Sequence, residues 1–153
     1  MRIQQISENE CRAILARAPM GRLGCALDNQ PYVIPVYFAY EESYIYVFAT
    51  LGRKIEWMRA NPKVCFQVDE VKSALDWISV IANGQFEELP VPQYSAEVAH
   101  ARGLLEKRHG WWMNAMAERR MDVSDELIAP LFFRIRMDSV SGLAGIGEGE
   151  ESS

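Results

Sequence analysis

Thr50-Leu51-Gly52-Arg53-Lys54 is the segment of this sequence whose residue types could do chemistry at one defined place. It sets a hydroxyl, a glycine and two cations just ahead of a pattern that reads as a short helix, from Arg53 to Ala60. Free backbone N–H groups and the positive end of a helix dipole favour an anion at such a point. An arginine adds a planar fork that grips a phosphate through two parallel hydrogen bonds, and a lysine adds a second charge. The chemistry is that of a phosphate-binding corner. A solvated basic turn that binds nothing has the same composition, and the residues alone leave both readings open. Arg59 and Lys63, further along, read as surface charges on the helix and its exit.

Other reactive residue types are scattered. Cys11, Cys25 and Cys65 are three widely spaced thiols with no CxxC, which fits reduced cysteines better than a disulfide framework. Cys25 and Cys65 lie in apolar runs and read as small core residues. His100 and His109 are nine residues apart and would fall on opposite sides of one helix, so they make no metal pair. No metal site is expected. Gly145-Ile146-Gly147 is not read as a dinucleotide fingerprint, because no strand is expected before it and no helix after it. The methionines at 113, 116 and 121 read as adaptable packing.

The elements that must hold the basic turn are mostly strands. Ser7-Glu8-Asn9-Glu10 is a capping-box pattern opening a helix that carries Ile14 and Leu15 and ends near Pro19. Gly21–Leu27 reads as a strand, 28–31 as a turn, and Tyr32–Tyr40 as a long aromatic strand. A short polar link leads into Tyr44–Ala49, which makes a hairpin. Pro35 cannot donate to a ladder, so the middle of its strand must be an edge or a bulge. Asn61-Pro62 stops the short helix. Val64–Val68 and Trp77–Glu87 read as strands around a polar loop from Asp69 to Asp76, with Gly84 as a bulge. Ser95–His109 reads as a helix capped by Gly110, and Leu131–Val140 as the last strand. Six to seven antiparallel strands with peripheral helices predict a mainly β fold closed, or nearly closed, into a barrel. Residues 1–143 are expected to form a single domain, and 144–153 a flexible acidic tail.

Composition sets limits. The 153 residues suffice for one domain with a core, and the formal net charge is −5. That balance argues against nucleic acid and anionic membranes as partners, since both need a broad basic face. No apolar stretch approaches the length of a membrane helix. The segment MRIQQISENE lacks a signal peptide's apolar core, so a cytoplasmic location is expected.

The series GRLG, PYVIPVYF, YIYVFATLGRKIEWMRANPKVCFQVDEV and WISVIANGQFEEL resembles the FMN-binding split β-barrel family named for pyridoxamine 5'-phosphate oxidase. It is most similar to the branch of small flavoproteins related to nitroimidazole resistance. The resemblance covers residues 20 to 90 well and residues 130 to 142 more loosely. The run from Gly52 to Val64 is its most specific piece. It implies FMN as cofactor, bound at the interface of a homodimer, and flavin-dependent oxidoreductase chemistry on a small molecule. Arg53, Lys54, Gly52 and Thr50 would hold the phosphate and ribityl end. Val33, Ile34, Pro35 and Val36 would run along the polar edge of the ring. Trp77 and Ser79 would come from the neighbouring subunit, and Trp111 and Trp112 would close over the ring.

Two departures narrow the activity. The chain after Gly142 is short and acidic, where the oxidase uses a basic segment, so pyridoxamine phosphate oxidation is disfavoured. Phe48-Ala49-Thr50 offers no histidine at the position nitroimidazole-type reductases use. No catalytic acid or base is singled out. A flavin-binding or sensing protein without turnover, and a haem or deazaflavin binder on the same barrel, are the alternatives.

Overall fold

The computed structural model describes residues 1–50, 52–108 and 130–147, of which Pro130 is described only by its backbone. Leu51, His109, Gly110, Trp111, Trp112, the three methionines noted above and the last six residues lie outside the described residues. The elements are β1 (Arg2–Gln5), α1 (Glu8–Arg17), β2 (Gly21–Leu27), β3 (Gln30–Val36), β4 (Ala39–Glu41), β5 (Tyr44–Thr50), α2 (Arg53–Ala60), β6 (Lys63–Ser73), β7 (Asp76–Glu88), α3 (Ser95–Glu106) and β8 (Pro130–Ile146).

One antiparallel sheet holds all the described strands, in the order β3-β2-β6-β7-β8-β5-β4, with β1 added on β8. β3 and β4 stand at opposite ends of that order, yet only Tyr37 and Phe38 separate them in the chain. Three Cα steps span at most about 11 Å. The two ends of the sheet must therefore curl toward each other, which makes a split barrel rather than a flat sheet. α2 then crosses the opening: it leaves β5, near one end of the order, and packs on β2, near the other.

Local chemistry explains most boundaries. Ser7 accepts a hydrogen bond from the Glu10 N–H at 3.1 Å and caps α1, whose Cys11, Ile14 and Leu15 are buried. Replacing Ser7 with alanine should lower unfolding free energy by about 1 kcal/mol, seen as a shift of the urea midpoint without a change in slope. At the other end of α1, the Arg108 guanidinium donates to the carbonyls of Ala16 and Ala18 while lying over the Phe38 ring. This satisfies helix-terminal acceptors and ties the end of α3 to α1. Asp28 and Asn29 both have positive φ, 51° and 65°, so β2 and β3 are joined by a two-residue turn whose twist matches the strands.

The core has two parts. Inside the barrel, Leu23, Val36, Phe38, Ile45, Ile55, Met58, Phe66 and Phe133 pack together. A smaller cluster of Tyr46, Leu89, Leu105 and Phe132 lies under α3. Gly21 is in the GRLG motif because the inside is full: a Cβ there would stand 2.1 Å from the Phe66 ring. Gly24 faces outward, where a Cβ would meet the Cys65 sulfur at 2.6 Å.

Several expected boundaries are corrected. The aromatic run 32–40 is two strands, because the chain must leave one end of the sheet and join the other at Tyr37-Phe38. The expected loop from Asp69 is β6 continuing to Ser73, paired with β7 through Asp76; polar side chains are tolerated because this half of the hairpin faces solvent. β8 extends to Ile146 rather than ending at Val140, so the boundary at 143 falls inside a strand. Ala144 and Gly145 pair with both β1 and β7, and Ile146 pairs with β1. β1 was not expected at all, since RIQQ has no apolar periodicity and all four residues are exposed. α3 ends at Glu106, three residues before His109. Cys65 is exposed, because β6 alternates and the thiol shares its outward face with Lys63. The irregularity at Gly84 is present, but the register slips by a residue on β8: Asn83 faces Ser139 and Gly84 faces Met137.

Candidate functional site

β3 is the edge on which the candidate site is built, and its two prolines set its polarity. Pro31 and Pro35 sit in register with Ala26 and Arg22 of β2. Lacking an N–H, each must turn its nitrogen away from the ladder. Backbone groups alternate sides along a strand, so Val33, of the same parity, also points its N–H and C=O off the edge. Consistently, the Gln30 carboxamide donates to the outward Pro31 carbonyl at 3.1 Å. The edge thus offers one donor, at Val33, and three acceptors, at residues 31, 33 and 35. Val33 and Pro35 are exposed, Ile34 is half-buried and Val36 is buried in the barrel.

The basic turn lies beside this edge. Gly52 is the N-cap of α2, with extended backbone and no side-chain cap, so first-turn N–H groups are not spent on a capping side chain. Arg53 is exposed, and its guanidinium carbon lies 5.5 Å from the centre of the Tyr32 ring on β3. Tyr32 in turn packs on Trp57 of α2, with ring centres 5.8 Å apart. Arg59, on the same helix, is committed elsewhere, with hydrogen bonds of 2.9 and 2.5 Å to the Glu88 carboxylate. The geometry therefore separates the two arginines that sequence places near the turn.

It also separates the two neighbouring cations. Successive helix residues point about 100° apart, and Lys54 turns inward with Ile55 and Met58, leaving 2% of its surface exposed. Burial pulls its ammonium down to about 8, and the nearby Cys25 thiol partly opposes this. Burial likewise pushes the Cys25 thiol up, with the Cys65 thiol adding to the effect and Lys54 opposing it. Thr50 ends β5 and is fully buried.

A groove of about 590 Å³ opens next to Tyr32 on the outer face of the sheet, over Val33, Gly24, Cys65, Asn83 and Asp138. This groove was not legible in the sequence; Gly24 was the one signal, as a residue with no side chain on an outward position. Trp77 and Ser79 lie on the same outer face but not at the Arg53 corner. Ser79 bonds the Gln67 carboxamide at 3.1 Å, and Trp77 covers Gly145. Ser79 is four residues along β7 from Asn83, about 13 Å at the rise of a strand. Within one chain these two residues are apart from the rest of the expected site. Among the described residues no helix is long and apolar enough to cross a membrane.

Known proteins give this geometry a context. Residues 7–144 match the family model described as pyridoxamine 5'-phosphate oxidase. An uncharacterised protein of Rhizobium meliloti is 37% identical over 145 residues, covering 94% of this chain and 96% of the relative. The crystal structure of a protein from Mesorhizobium loti, described as FAD-binding, is 38% identical, with a TM-score of 0.76 and coverage of 96% of this chain and 99% of its own. A Bacteroides thetaiotaomicron structure described as a 5-nitroimidazole antibiotic resistance protein shares the fold at 20% identity and a TM-score of 0.69, over 94% and 89% of the two chains. With a split barrel, the Gly52–Val64 corner beside an open strand edge, and a family match over nearly the whole length, this chain belongs to the pyridoxamine 5'-phosphate oxidase family.

Proposed function

We propose that this chain binds a flavin carrying a phosphate, FMN in the first instance, and serves as a flavin-dependent oxidoreductase on a small molecule. The observation that carries the proposal is the Arg53 corner: an exposed guanidinium resting on a ring, at the start of α2, beside a strand edge with outward backbone groups. A phosphate fits the arginine fork and the first-turn N–H groups. A planar heterocycle with alternating donors and acceptors fits the edge at residues 31 to 35. Bound there, a flavin supplies hydride or electron transfer at its ring, while the chain supplies position and electrostatics. Val33 would orient the polar edge, Arg53 would anchor the phosphate, and Ile34 and Val36 would support the strand from inside.

A second copy of the chain completes this reading. The outer face over β6, β7 and β8 carries exposed Val71, Ile81 and Leu143 among small polar residues such as Ser139 and Ser141. An apolar face of this kind suits a homodimer interface. A partner packed there would bring its own Trp77 and Ser79 toward the corner they do not reach within one chain. The 38% identical Mesorhizobium loti protein, described as FAD-binding, favours FAD as a second reading. The groove beside Tyr32 has room for an adenylate beyond the phosphate.

The test is a visible spectrum of the purified protein, followed by titration with FMN and FAD and a mass measurement in solution. One flavin per subunit of a dimer is the expected result. Reduction of that flavin by a nicotinamide nucleotide and its reoxidation by an added acceptor would establish turnover. A folded protein that binds neither flavin would overturn the proposal.

A further inference from the structure

We infer that Tyr32, backed by Trp57, is a positioning residue that holds Arg53 ready for the cofactor's phosphate; this rests on the flavin reading above. Three side chains from two elements stack in sequence. Trp57 of α2 packs on Tyr32 of β3, and Tyr32 carries the guanidinium of Arg53 at 5.5 Å. The stack closes a loop, since Arg53 and Trp57 are one helical turn apart on α2 and grip the same ring between them.

The choice of partner matters. Arg17, Arg22, Arg59 and Arg134 each meet a carboxylate. A carboxylate neutralises the guanidinium and occupies its N–H edge, so an incoming phosphate would have to displace it. A ring face attracts the cation through its quadrupole and leaves the charge uncompensated. It also leaves the N–H donors at the guanidinium rim for a two-point grip on phosphate. An exposed arginine without such support loses side-chain freedom on binding, which weakens the complex. Tyr32 removes part of that loss beforehand, and it does so from the strand whose outward edge is offered to the ring. One residue thereby couples the phosphate end of the site to its ring end.

The experiment compares FMN with riboflavin, which lacks the phosphate, in full-length protein. For Tyr32→Leu, FMN affinity should fall about fivefold, the scale of a partly exposed cation–π contact, while riboflavin affinity stays unchanged. Tyr32→Phe keeps the ring and should keep FMN affinity. In an Arg53→Ala background the Tyr32→Leu change should cost nothing further, because its effect runs through the arginine. Arg53→Lys, an exposed substitution that does not threaten folding, should restore only part of the FMN affinity, since an ammonium lacks the planar fork. Equal losses for FMN and riboflavin, or additive losses in the double variant, would overturn the inference and leave the flavin reading standing. Full FMN affinity in Arg53→Lys would overturn it as well. A wild-type chain that binds neither ligand would end both.

Discussion

Replacing Arg53 with alanine should weaken FMN binding roughly 10- to 150-fold, the cost of about 1.5–3 kcal/mol for a lost hydrogen bond to a charged group. Riboflavin should bind both proteins alike. The effect is expected to be specific to this arginine. Arg53 is exposed, sits in the first turn of α2 and rests on the Tyr32 ring, whereas Arg59, six residues after it, is tied to Glu88. Arg59→Ala should therefore change FMN affinity little. The wild-type preference for FMN over riboflavin should also shrink as salt rises, because an exposed charge at the corner is screened. Fluorescence titration of both flavins at two ionic strengths checks all of this. An unchanged FMN affinity in Arg53→Ala would remove the phosphate from this corner.

A second large effect belongs to the lysine beside it. Unliganded protein should grow more stable as pH rises from about 8 toward 10.5, by up to about 3 kcal/mol. In the unfolded chain Lys54 holds its proton up to about 10.5, while burial in the folded chain brings this to about 8. Between those values the unfolded state binds more protons, so raising the pH favours folding. Below about 8 both states are charged, and folding bears the full cost of the buried ammonium. Cys25, Cys11 and Tyr46 are pushed up by burial, and their contribution is lost as pH climbs past their ordinary values of 9 to 10. They oppose the rise in its upper half. Urea denaturation at stepped pH, compared with Lys54→Met, isolates the lysine. The difference between the two proteins should narrow or change sign across this window, and a constant difference would mean that folding leaves the Lys54 pKa where it is in the unfolded chain.

The same lysine links stability to ligand. An anion placed over the turn would draw the Lys54 pKa back up, so binding would take up a proton near pH 8 to 9. FMN affinity would then decline as pH rises through that range. Calorimetry in buffers of different ionisation enthalpy reads the proton directly. No uptake would assign the phosphate to Arg53 and the helix N–H groups without Lys54.

Much of this protein was determined by its sequence. The cap at Ser7, the strand Gly21–Leu27, the turn after it, the helix from Arg53 to Ala60 and its stop at Asn61-Pro62 follow from local rules that act within a few residues. Pro35 announced an edge, because a missing N–H has the same consequence in any sheet. The position of the basic turn, between a hairpin strand and a short helix, was equally local. Other features were decided only when distant strands met. β1 forms because β8 offers it a ladder, not because RIQQ prefers to be a strand. The chain breaks at Tyr37-Phe38 because the barrel must close there. Arg53 and Lys54, adjacent in sequence, part company because α2 has one face against β2 and one toward solvent. Cys65 and Cys25, both in apolar runs, end on opposite faces through strand alternation in register with Gly24. Arg53 met Tyr32 because α2 folds back on the β2–β3 hairpin, a contact across twenty-one positions of chain. Residue type and spacing named the chemistry, and side-chain direction, which depends on what packs opposite, decided which residues are placed to carry it out.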